Sequence, residues 1–142
     1  MKGFKLLVAG MCVAAVVLTT SVAFAKPLPE QQWRKQANVI CAQSNQDIGT
    51  IGNNVYSGLG PNDQPTAAQN AAFAAQLGPS IRATVASLDA LNEPKALKKA
   101  VKKVLRVSLA ALATLQAAPV PDSQPVFAKA AKLFKGLGLV CG

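Results

Sequence analysis

The sequence contains no histidine. That removes the usual general base at neutral pH, the commonest metal ligand and the usual haem ligand. Acidic residues are scarce, six against fifteen lysines and arginines, and aromatics make up only 5% of the chain. Once the N-terminus is set aside, no unbroken apolar run reaches the roughly 20 residues that a membrane span requires. What the chain does have is aliphatic side chains and alanine: 51% hydrophobic residues, 15% charged, and a positive mean hydropathy. Such a composition is too apolar for a disordered chain, and 142 residues make one small domain at most.

The first 25 residues carry the pattern of a Sec-type export signal. Lys2 and Lys5 form a short positive segment, Leu6 to Leu18 supply an apolar stretch, and Ala23-Phe24-Ala25 is the small-x-small pattern that signal peptidase reads. Cleavage is expected after Ala25, leaving residues 26–142 as a single helical domain that is secreted or held in the cell envelope. Lipidation at Cys12 is not expected, because Met11 stands where a lipoprotein signal needs a small residue. Removing the leader lowers the formal charge from +9 to +7. It also takes away Cys12 and leaves Cys41 and Cys141 as an even pair in an oxidising compartment. A disulfide between them would close a loop of about 100 residues, worth about 4.7 kcal/mol in the chain-entropy treatment. A reactive thiol would need a C-x-x-C partner or a histidine, and the chain has neither.

Hydrophobic periodicity divides the mature chain into four helices. Trp33, Ala37, Ile40, Cys41, Ser44, Ile48, Ile51 and Val55 recur at mostly three- and four-residue steps, predicting a first helix over Glu30–Tyr56 that Gly49 and Gly52 weaken. After the Gly58–Asp63 turn cluster, Phe73, Leu77, Ile81, Val85, Leu88 and Leu91 keep one phase across Gly78-Pro79, predicting one kinked helix, with a break at Gly78 the competing reading. Asn92-Glu93-Pro94 reads as the cap of a third helix running to Ala117. Its first half carries Lys95, Lys98, Lys99, Lys102, Lys103 and Arg106 within an arc of roughly 140°, while Ser108–Ala118 is apolar nearly all round and should be covered by neighbours. Ser123 before Pro125 starts a fourth helix with Phe127, Ala130, Phe134 and Leu137 on its inner face, ended by Gly136 and Gly138. No strand pattern competes. The expected fold is all-α, a small antiparallel four-helix bundle with Trp33, Phe73, Phe127 and Phe134 as its larger fillers and a disulfide-tethered C-terminus.

Three segments carry a resemblance. Gln36-Ala37-Asn38-Val39-Ile40-Cys41, Ser87 to Pro94, and Phe127 to Leu133 with Gly138-Leu139-Val140-Cys141-Gly142 resemble a group of small exported actinobacterial helical proteins, often lipoproteins. Members carry one cysteine in the first helix and one at the C-terminus. The resemblance implies a helical fold, export and a cysteine pair, and no activity. The present chain departs from the group in lacking the lipoprotein cleavage pattern.

The inventory argues against an enzyme. Only Asp89 and Glu93 are acids close in sequence, they sit at a helix junction near Lys95, and catalytic carboxylates need contrasting environments. Serines lack a base, Gly58-Leu59-Gly60 has neither strand nor lysine to make a phosphate loop, and two thiols with scattered carboxylates make no metal site. No catalytic residue, metal or cofactor is expected. The cationic stripe on the third helix reads either as a solvated face or as a contact for anionic lipid or an envelope polymer. Nucleic acid is disfavoured, since the five aromatics left after cleavage fall mostly at core spacing and offer no stacking platform. Two other roles fit the composition. One is a carrier holding a small apolar ligand within the bundle, and the other is a secreted membrane-active protein.

Overall fold

In the computed structural model, residues 26–141 are described; the expected leader, its cleavage after Ala25 and Cys12 lie outside them. The chain forms four helices, α1 (Glu30–Val55), α2 (Ala67–Asp89), α3 (Lys98–Ala117) and α4 (Gln124–Gly136), and no strand occurs among the described residues. α1 starts after Pro29 with Glu30 in its first turn, where the carboxylate meets the positive end of the helix dipole and pairs with Arg34 at 2.7 Å. α2 opens on a capping box: Thr66 Oγ1 accepts from the Gln69 backbone N–H, and Gln69 Oε1 accepts from the Thr66 N–H at 2.9 Å. The helix then runs unbroken past Pro79, as the in-phase apolar stripe predicts.

Each helix packs on its sequence neighbours, α1 on α2, α2 on α3 and α3 on α4, in an antiparallel bundle. The buried side chains form two clusters, one toward each end. One joins Trp33, Ala37 and Cys41 of α1 to Leu88, Val104 and Phe134. The other, at the opposite end, is built on Phe73, Ala74, Leu77 and Leu115. The main-chain bond from the Leu28 N–H to the Asn92 carbonyl, 2.9 Å, ties the segment before α1 to the α2–α3 connection at the first end.

Beyond α4 the chain turns back on itself. The Gly138 N–H donates to the Lys135 carbonyl and the Leu139 N–H to the Phe134 carbonyl, the paired bonds of a Schellman cap, and Gly138 takes φ +74°. The reversal sends Leu139–Cys141 back along α1. Arg34, Asn38, Cys41 and Asn45 form a single stripe on that helix and hold the tail. The Arg34 guanidinium donates to the Leu137 carbonyl, Asn38 Nδ2 donates to the Gly138 carbonyl and its Oδ1 accepts from the Val140 N–H, Asn45 Nδ2 donates to the Val140 carbonyl, and Cys41 is bonded to Cys141. The disulfide and the tethered C-terminus thus agree with the sequence expectation.

Two expectations are corrected. α3 begins at Lys98 rather than at the Asn92-Glu93-Pro94 cap: the Pro94 carbonyl accepts from Leu97 in an intervening turn, Leu97 is the N-cap without a side-chain bond, and Lys95 therefore precedes the helix. Nor is the second half of α3 covered all round. Only α2 and α4 flank it, so Leu109, Ala110, Ala113 and Ala117 remain exposed, at small cost because three of the four are alanines.

Replacing both Cys41 and Cys141 by serine should lower the unfolding free energy by up to about 4.7 kcal/mol, read as a shifted urea midpoint against the wild-type chain. Gly138→Ala should cost roughly 1–2 kcal/mol in the same assay, since alanine is strained at this positive φ and its Cβ would run into the Arg34 guanidinium. An unchanged midpoint for Gly138→Ala would show that the tail does not need its turn.

Candidate functional site

In a closed four-helix bundle the last helix packs against the first at an axial spacing of 8–10 Å. Here no Cα of α4 comes within 8 Å of one in α1. The gap is a cleft of about 960 Å³, walled by α1 and α4, floored by Leu77, Ile81 and Val85 of α2 and Ser108 of α3, and bounded on one side by Cys141 of the tail. Its width follows from the sequence. Gly49 on α1 and Ala128, Ala130 and Ala131 on α4 present almost nothing into the space, and a Cβ built on Gly49 would meet no atom within 4 Å.

Phe127 packs against the second cluster as expected of a core filler, yet it is only half-buried because its other side lines this cleft. Phe134, also on the wall, is buried as expected. Sequence reasoning missed the cleft residues as a group. Ser44 and Ile48 were legible as a helix face, and Gly49 only as a weak point of α1.

The polar groups on the walls are few and mostly uncharged. Thr84 Oγ1 donates to the Ser80 carbonyl at 3.0 Å and Ser108 Oγ to the Val104 carbonyl at 2.9 Å, so each hydroxyl spends its proton on its own helix. Their lone pairs are what remains for a guest. The single charged residue on the wall is Asp122, at the α4 end, whose carboxylate accepts from the Gln124 N–H at 2.9 Å. No lysine or arginine lines the cleft. Its chemistry is therefore a largely apolar trough with a few uncharged hydroxyl and amide groups, from Ser44, Asn45, Thr84, Ser108, Ser123 and Gln124, and no cation to neutralise a carboxylate or phosphate.

The predicted cationic residues lie elsewhere. Lys98, Lys99, Lys102, Lys103 and Arg106 are exposed on the outer face of the first half of α3, opposite Val101, Val104, Leu105 and Ser108, and Lys95 is exposed in the turn before it. Lys129, Lys132 and Lys135 are exposed on α4. Asp89 and Glu93 make no ion pair with Lys95; among the described residues the one ion pair is Arg34–Glu30. No group of three or more metal-ligating side chains occurs among the described residues. Tyr56, packed on Phe73 with ring centroids 5.4 Å apart and donating to Asn70 Oδ1, has its phenol pKa raised by burial, which keeps it a neutral donor. It belongs to the second cluster and stands outside the cleft.

Comparison of the chain with family models, with curated proteins and with solved structures finds no match.

Proposed function

We propose that this chain is an exported, non-enzymatic carrier that holds a neutral, elongated apolar molecule in the α1–α4 cleft. The observation that carries the reading is the separation of those two helices around about 960 Å³ of apolar-walled space. That volume lies within the range of small-molecule sites, about 300–1,000 Å³. A bundle of this size that needed only to be stable would gain by closing the gap, since each buried methylene contributes about 0.8 kcal/mol. The facing walls instead carry Gly49 on α1 and Ala128, Ala130 and Ala131 on α4 among their larger apolar residues, while the disulfide and the Arg34–Asn38–Asn45 stripe hold the tail beside the cleft. Export and the cysteine pair are also what the resemblance to small exported actinobacterial proteins implies. The absence of any cation on the wall, with Asp122 at one end, selects uncharged ligands over fatty-acid anions.

The test uses the processed chain and the neutral dye Nile red, whose emission rises in an apolar site. Saturable binding is expected, with displacement by a long-chain alcohol and much weaker displacement by the matching carboxylate at neutral pH. Gly49→Leu should reduce dye affinity at least about tenfold by filling the trough from α1, while helicity is retained because leucine is favoured over glycine in a helix interior by about 1 kcal/mol. Equal dye binding by the folded Gly49→Leu chain, or a concentration-dependent dimer that buries the cleft in another copy, would overturn the reading.

A further inference from the structure

The charges of this bundle are sorted along its axis. The end that contains the Trp33–Phe134 cluster holds the start of α1, the end of α2, the start of α3, the end of α4 and the tail. The sequence places the cations in the same elements. Lys98, Lys99, Lys102, Lys103 and Arg106 cover about 12 Å of α3 at its helical rise. Lys132 and Lys135 follow on the last turns of α4, with Lys129 at the boundary between the halves, and Lys26, Arg34, Lys35 and Lys95 complete the same end. Arg82, in the middle of α2, is the one other cation of the described residues, and it donates to Gln116. The opposite half carries Asp47, Asp63 and Asp122.

None of the lysines at the basic end has an ion-pair or hydrogen-bond partner among the described residues, and the three acids at that end, Glu30, Asp89 and Glu93, offset only a small part of the charge. The five cations of α3 alone fall within about 12 Å along the helix, close to one Debye length of about 8–10 Å at ordinary salt, so their potentials add. A solvated face would only need charge spread around the bundle. Segregation to one pole gives the molecule a direction.

From this sorting we infer that the basic pole docks the protein on the surface of an anionic phospholipid bilayer. Exposed lysines of this end come from α1, α3, α4 and the turn before α3, and neither the α1–α4 cleft nor the groove between α1 and α2 has a cation on its wall. Neither of these two grooves therefore offers a linear polyanion a basic track, and Trp33, Phe73 and Phe134 are buried away from any base-stacking role. A flat layer of headgroups can engage exposed cations without any shaped site, each lysine or arginine near such a surface adding about fivefold to binding. The apolar faces stay in the core, so the contact is peripheral and does not open the bilayer. The inference rests on charge placement alone and stands whether or not the cleft carries a ligand.

Co-sedimentation of the processed chain with large vesicles tests it. Binding is expected to phosphatidylglycerol-containing vesicles at low salt, with loss as salt is raised and none to pure phosphatidylcholine. The quadruple change Lys98→Gln, Lys99→Gln, Lys102→Gln and Lys103→Gln should weaken binding by roughly several hundredfold, whereas Arg82→Gln should not and the corresponding four arginine substitutions should restore it. Nile red binding should be the same in all variants, which separates failure of the docking from failure of the carrier reading. Equal binding to neutral vesicles, retention of binding by the glutamine variant, leakage of vesicle contents, or tighter binding to soluble polyphosphate than to the anionic vesicles would each overturn the inference.

Discussion

The architecture depends on how the C-terminal tail is fastened to α1. The backbone of α4 approaches closely only that of α3, while its Phe134 reaches the Trp33 cluster at one end, so elsewhere along its length α4 has no close restraint toward α1. The Cys41–Cys141 bond and the hydrogen bonds from Arg34, Asn38 and Asn45 fix the tail at one distance from α1, and the Schellman cap at Gly138 transmits that distance to the end of α4. A covalent link is suited to this task. It restrains the unfolded chain across about 100 residues without requiring the helices themselves to touch. The open cleft and the closed core are therefore consequences of one fastening.

The two clusters then divide the work. Around Trp33 twelve buried residues from all four helices and the tail form one cluster, so this end supplies the frame for the tail site. Toward the other end, Ile48, Ile81 and Phe127 are only partly covered and face the cleft. A binding trough on a rigid frame loses less entropy on taking up a guest than one that must be formed by it. Thr84 and Ser108 fit this picture, because back-bonding to their own helices lets hydroxyl oxygens stand in an apolar wall without an unpaired proton.

Much of the fold was legible because the apolar residues of α1, α2 and α4 repeat at helical steps and because Gly58, Pro119 and Gly138 punctuate them. Pro79 did not mislead, since the stripe from Phe73 to Leu88 holds its phase across it. The start of α3 was illegible for a local reason: Asn92 has the chemistry of a cap, but the helix begins after Leu97, which caps with no side chain. Thr66 and Gln69 show the reverse, a capping-box spacing that stands in the sequence and does mark the start of α2. The cleft was hidden for a deeper reason. Gly49, Ala128 and Ala131 would serve equally well to bring two helices into close contact or to leave room between them, and the choice is made by the tail, whose geometry no periodicity encodes. The cationic residues were visible as a stripe on one helix; that they share an end with Lys26, Arg34, Lys132 and Lys135 emerges only from the antiparallel topology.

That topology also gives the charge sorting its meaning. Lysines at the start of α3 meet the positive end of that helix dipole, a placement that costs a few tenths of a kcal/mol per residue where local stability alone would favour acids. The lysines of α4, by contrast, run toward the negative end of their helix, where the dipole favours them. Helix stability therefore accounts for Lys135 but opposes Lys98 and Lys99. Solubility accounts for cations in general, yet it is indifferent to which end carries them. The two requirements together leave the clustering at one pole unexplained. The anionic bilayer inferred above would supply the missing term, because a negative surface rewards like charges placed side by side even against the local dipole.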